Sequence, residues 1–119
     1  MNAKIFRGKR IDNEKWIYGK LRRCFPPPEF KAICTINDEL VESKTVGCFT
    51  GKYDENRNEI FSDDVIQYRI DNEIVLGTII DNDDCFIIKT KGSNGFDISW
   101  GQEMKIIGNI HDKPELLCQ

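Results

Sequence analysis

Few residues in this chain have side chains suited to catalysis. The single histidine, His111, stands beside Asp112 near the end of the last apolar segment. As a general base it would need a nucleophile within hydrogen-bond reach. The cysteines, Cys24, Cys34, Cys48, Cys85 and Cys118, are widely spaced with no Cys-x-x-Cys. A Cys–His pair or a zinc site would therefore have to be assembled by the fold, since zinc needs clustered thiolate and imidazole ligands. The run Gly47-Cys48-Phe49-Thr50-Gly51-Lys52-Tyr53 resembles a phosphate loop but fails it. One residue is missing between the glycines, and Tyr53 stands where a hydroxyl would hold magnesium. Gly92-Ser93-Asn94-Gly95 is not a nucleophile elbow. Asp63-Asp64 and Asp81 to Asp84 offer carboxylates for a divalent cation, although exposed turn acids read the same way. No catalytic residue, metal site or cofactor is expected from these patterns.

The strongest lead is electrostatic. Residues 1–23 hold eight cations against two acids, a balance of +6, while the whole chain is at −3 and the remainder at −9. Lys4, Arg7, Lys9, Arg10, Arg22 and Arg23 lie near Trp16 and Tyr18, the mixture of cation and aromatic that nucleic-acid surfaces use. A sequence pI near 5.2 opposes binding to a long polyanion. These eight residues are the candidate partner-binding surface. A protein partner or self-association is the favoured expectation, nucleic acid the alternative, and a small nucleotide-type ligand at a subunit interface a third.

The elements that must carry these residues follow a period of two. Lys4 to Arg10 and Lys15 to Leu21 read as a hairpin closed by Ile11-Asp12-Asn13-Glu14. Phe25-Pro26-Pro27-Pro28-Glu29 is a stiff connector, because proline cannot donate to a ladder. Strands follow over Phe30 to Ile36 and Thr45 to Thr50, with Asn37 to Lys44 a polar turn or short helical piece. Further strands are expected over Asp64 to Ile70, Ile74 to Ile80, Cys85 to Thr90 and Met104 to Ile110, separated by Asx- and Gly-rich turns. Gly77 suggests a bulge or a close backbone approach. This predicts a mainly-β protein: one domain over 1–119, with a β subregion over about 1–52 and a barrel-like subregion over about 53–119. Residues 60–110 suit a small barrel of the Src-homology type, with a short helical turn before the last strand.

Composition agrees with a globular chain, at 39% apolar and 31% charged. The first residues lack an apolar signal region, and no apolar run is long enough to span a bilayer. An odd count of scattered cysteines reads as buried free thiols. The expectation is a cytoplasmic protein with no membrane contact.

Three stretches also carry a family signature. They are Ile5 to Asn13 with Trp16-Ile17-Tyr18-Gly19; Thr45-Val46-Gly47-Cys48-Phe49-Thr50-Gly51, running into Asp54-Glu55-Asn56 and Glu59 to Val65; and Ile107-Gly108-Asn109-Ile110-His111 with Pro114-Glu115-Leu116-Leu117. In this order and spacing they resemble the YopX-like proteins of bacteriophages and prophages. The resemblance implies a β-barrel fold, a phage or prophage origin and a bacterial cytoplasm; taken with the missing catalytic constellation and the charge asymmetry, it makes a host or phage protein the expected partner. It implies no reaction, since the family has no established one. Where the family usually has glycine, this chain has Glu14, Arg57 and Asp63. Asn13 and Asn56, beside two of these positions, are the expected carriers of the left-handed turn conformation.

Overall fold

The computed structural model describes residues 4–25, 33–82, 85–90 and 95–115, with the side chains of 23–25 outside the description. Pro26 to Glu29 of the proline connector, residues 30–32 of the expected third strand, the 91–94 part of the glycine turn, Asp83-Asp84, Leu116-Leu117 and Cys118 fall outside these residues, while Phe25 ends a strand. The described strands form three antiparallel sheets, and the chain divides into two compact units, 1–49 and 50–119. No helix among the described residues is long and apolar enough to cross a membrane.

In the first unit, β1 (Phe6–Lys9) pairs with β2 (Trp16–Gly19) in the register Phe6↔Gly19, Arg7↔Tyr18, Gly8↔Ile17 and Lys9↔Trp16. The expected hairpin is present. Its turn is closed by Arg10 N–H to the Lys15 carbonyl at 2.9 Å and Glu14 N–H to the Arg10 carbonyl at 3.0 Å. A side chain alternates sides along a strand, so the register splits the hairpin into two faces. Phe6 and Ile17 pack on a core of Cys34, Ile36 and Val41, joined by Leu21 and Val46. Gly8 lies in that face, where a Cβ would come within 2.9 Å of Val41 Cγ2. Arg7, Lys9, Trp16 and Tyr18 lie on the other face.

The remaining strands of this unit are β3 (Leu21–Phe25), β4 (Ile33–Ile36) and β5 (Glu39–Glu42). β5 occupies much of the stretch expected to be a polar turn or helical piece. Asn37 and Asp38 both take positive φ (51° and 66°), and Ile36 pairs with Glu39. That is a two-residue hairpin turn with both central residues left-handed, which Asn and Asp accept. It releases Leu40 and Val41 into a strand, with Val41 fully buried. Only Ser43–Thr45 is helical, as a single 3-10 turn. Thr45 Oγ1 accepts from Lys9 N at 2.9 Å and donates to the Glu42 carbonyl at 2.7 Å. β6 (Gly47–Tyr53) follows, and its first residues pair with β1.

The second unit contains β7 (Glu59–Phe61), β8 (Asp64–Ile70), β9 (Glu73–Asp81), β10 (Phe86–Lys89), β11 (Phe96–Asp97) and β12 (Gln102–Asn109). Five of these form a sheet in the order β11-β10-β9-β8-β12, so the last strand returns beside β8. Asp71-Asn72 closes β8–β9 with both φ positive (48° and 73°), again a two-residue hairpin turn. Ile60, Ile66, Tyr68, Ile79, Ile88 and Ile98 form the core. A Cβ on Gly77 would come within 2.5 Å of Ile88 Cγ2. Of the two expectations for Gly77, close approach is met. The β8–β9 register runs unbroken through it, and the irregularities fall between β8 and β12.

The expected barrel is not closed among the described residues. Closure requires the two outermost strands to pair. β11 is two residues long and pairs with β10. The helical turn expected before the last strand is present as the 3-10 turn Ile98–Trp100.

Glu14, Arg57 and Asp63 themselves have positive φ, at 59°, 66° and 73°. The left-handed residues are thus the substituted ones and not Asn13 or Asn56. Each asparagine instead makes a bond that shapes its turn. Asn13 Oδ1 accepts from Lys15 N at 3.0 Å, and Asn56 N–H reaches Asp54 Oδ1 at 2.9 Å.

Candidate functional site

The candidate surface is the outer face of the β1–β2 hairpin. Cross-strand pairing sets Arg7 opposite Tyr18 and Lys9 opposite Trp16. The Trp16 indole is the centre of the cluster. Arg7 Cζ lies 4.7 Å from its ring centroid and Lys9 Nζ 5.5 Å. Both distances fall within cation–π range, where the negative ring face attracts the cation. Arg7 is only 6% exposed, so it is not a free surface cation. Lys9 and Trp16 are half-buried, and Tyr18 is 50% exposed.

The other candidates separate from this cluster. Arg10 lies at the end of β1 and is held by acids of its own unit. Its Nε and Nη2 donate to Asp12 at 3.0 and 2.8 Å, and Nη2 lies 3.1 Å from Glu39. The Asp12 hydrogen bond raises the Arg10 pKa and holds the Asp12 carboxyl below its ordinary value. Arg10 therefore presents little uncompensated charge. Lys4 precedes β1 and is exposed; Arg22 on β3 is also exposed. The Arg23 side chain lies outside the described residues. Burial of Arg7 and pairing of Arg10 correct the picture of one uniformly basic surface. A cross-strand cation–aromatic patch remains, with separate exposed cations at Lys4 and Arg22.

The weaker chemical leads are placed as follows. Gly47 to Tyr53 is a strand throughout, not the strand-to-helix turn of a phosphate loop. Asp63 and Asp64 diverge in role. Asp64 is 1% exposed and accepts the Phe61 N–H at 2.8 Å, while Asp63 Oδ2 lies 3.0 Å from His111 Nε2. Asp112, the sequence neighbour of His111, accepts instead from Asn109 Nδ2 at 3.0 Å. No group of three or more His, Cys, Asp or Glu side chains converges as metal ligands would, among the described residues. Cys48 and Cys85 are free thiols as expected, but Cys34 is disulfide-bonded, which corrects the reading of free thiols throughout. Cys24 stands opposite Cys34 in the β3–β4 register.

Two features escaped sequence reasoning. Asp54 is a buried carboxylate that accepts N–H bonds from Asn56, Asn58 and Ile106 at 2.9, 2.8 and 3.1 Å. The alternating Asp54-x-Asn56-x-Asn58 pattern was its only signal. Trp100 is 73% exposed beside a hollow of about 430 Å³ lined also by Ile70, Asp71, Asn72, Gln102 and Glu103. Nothing in the sequence marked this indole as the exposed one of the two tryptophans.

No curated protein matches the chain. The family model described as YopX protein matches residues 5–118, nearly the whole length, and the chain belongs to that family.

Proposed function

We propose that this protein is a non-enzymatic binding module that meets a protein partner through the outer face of its β1–β2 hairpin. The observation that carries this reading is the Arg7–Trp16–Lys9 stack with Tyr18 half exposed beside it. Protein interfaces are enriched in Tyr, Trp and Arg because such side chains bury much area at little entropic cost. Arg7 and Lys9 hold the indole in one orientation, so little ordering cost remains when a partner covers it. Phage or prophage origin and a bacterial cytoplasm belong to the same reading. So does an opened barrel of the Src-homology type for the second unit. That reading is supported by the sheet order β11-β10-β9-β8-β12 and the 3-10 turn before β12.

Nucleic acid is the less favoured partner, because Arg7 is buried and Arg10 is neutralised by carboxylates. A photo-crosslinking residue decides between the two. Tyr18→p-benzoylphenylalanine, expressed in bacteria, should give a light-dependent protein adduct. The same residue at the exposed Glu59 should give none. No adduct at position 18, or an adduct removed by nuclease, would overturn the proposal.

A further inference from the structure

The second unit holds an aromatic surface that its own fold does not use. Ile98–Trp100 forms a 3-10 turn capped by Asp97, whose Oδ1 accepts from Ser99 N at 2.9 Å and Ser99 Oγ at 2.8 Å. Ile98 is 4% exposed and anchors the turn in the core, while Trp100 two residues on is 73% exposed. The indole is thus held outward by a fixed backbone. Ile70, 38% exposed, adds an apolar side chain to the lining of the hollow. Arg69, the one cation among the described residues that line the hollow, has its charge met by Glu103 at 3.2 Å. Asp71 is left as the acid beside Trp100, with Glu73 next along the hairpin. An open indole face beside a carboxylate suits a guanidinium, which stacks on the ring and offers its N–H fork to the acid.

The same chain carries the complementary group. Residues 1–49 hold ten cations and six acids, a balance of +4; residues 50–119 hold seven cations and fourteen acids, a balance of −7. Lys20 and Arg22 are exposed and follow directly on Tyr18 and β2. We infer that the Trp100 hollow binds the basic edge of a second copy of this chain, with Arg22 of one copy stacked on Trp100 of the other. The inference rests on the proposed docking role of the first unit, to which it adds Lys20 and Arg22, exposed cations that follow β2 in the chain but lie apart from the Trp16 patch. It gives that role a specific partner. The contact is head-to-tail, so each copy offers one donor edge and one acceptor hollow. It depends on few groups and on charge, so it is weak and salt-sensitive.

Two surface variants test it by complementation. Trp100→Ala removes the acceptor and Arg22→Glu removes the donor. Sedimentation velocity at low ionic strength should show the wild type associating as concentration rises and returning to monomer in high salt. Each variant alone should associate about tenfold or more weakly. An equimolar mixture should form a one-to-one dimer, because one variant keeps the donor and the other the acceptor. Circular dichroism of each variant checks that the fold is intact. A wild type that stays monomeric at low salt would overturn the inference, as would a mixture that gains nothing over its components. So would Trp100→Ala that associates like wild type. The crosslink at Tyr18 separates this from the broader reading: an adduct to a different protein keeps the docking role while the sedimentation result removes the second copy as its partner.

Discussion

Asp54 is a buried carboxylate of the second unit that holds three backbone N–H groups. Burial, the largest influence on its carboxyl, pushes the pKa up. Hydrogen bonds from Asn58, Ile106 and Asn56 together outweigh burial and hold it below the ordinary value. Its folded pKa is therefore lower than its unfolded value of about 3.9. The stability it contributes is present above the unfolded value and is lost as pH falls through the folded one. Asp54→Asn should cost about 1–3 kcal/mol at neutral pH by weakening three charge-assisted bonds. Urea denaturation should show that penalty shrinking as pH falls below the unfolded value of about 3.9. A penalty constant with pH would mean that the charge is not what matters.

The left-handed residues make a second test at this scale. A non-glycine residue in this conformation costs about 1–2 kcal/mol, offset partly by the greater unfolded-state freedom of glycine. Glu14→Gly and Arg57→Gly should each stabilise the fold by about 0.5–1 kcal/mol, read as a higher denaturant midpoint. Asp63→Gly should gain less than either, because it also removes the 3.0 Å contact to His111. Equal gains at all three positions would show that the Asp63–His111 contact contributes nothing.

Among elements, the β8–β9–β10 ladder leaves little room for change at Gly77. Gly77 lies between Tyr68 and Ile88, where an added Cβ would meet Ile88 Cγ2 at 2.5 Å and Tyr68 Cε1 at 3.0 Å. Gly77→Ala should destabilise by about 1–3 kcal/mol through overpacking. Thermal unfolding would measure it, and a neutral result would mean that the strands can separate without cost. Glycine inside an apolar strand left a bulge or a close approach open at Gly77, and packing against Ile88 and Tyr68 decides for the second. β5 was not readable in the same way. Its polar residues resemble a loop, and only the paired left-handed turn at Asn37-Asp38 turns the chain back into the sheet. The second strand of the hairpin was expected to run to Leu21, but β2 stops at Gly19 and β3 begins at Leu21. Asn37 Nδ2 donates to the Tyr18 carbonyl at 2.8 Å, a long-range bond with no local signal.

For the molecule as a whole, charge is divided between its two units, and the sedimentation experiment belongs to this scale. An acidic chain with a basic first unit is a poor match for a long polyanion; the proposed second copy, with the same division, would complement it only head-to-tail, basic unit against acidic unit. The same division explains why total net charge was a poor guide to the β1–β2 surface.

By itself the sequence determined the mainly-β class, the hairpin that opens the chain, most strands of the second unit and the family. Alternation with period two, turn residues and ordered motifs are local signals, so they survive without coordinates. It also placed Lys9, Trp16 and Tyr18 together, because two strands joined by a short turn leave few registers. Only the tertiary structure decided that Arg7 is buried, that Arg10 is held by Glu39, and that Trp100 is turned outward while Ile98 goes in. Those outcomes depend on which long-range neighbour reaches each side chain first, and burial of a charge or exposure of an indole has no periodicity to read.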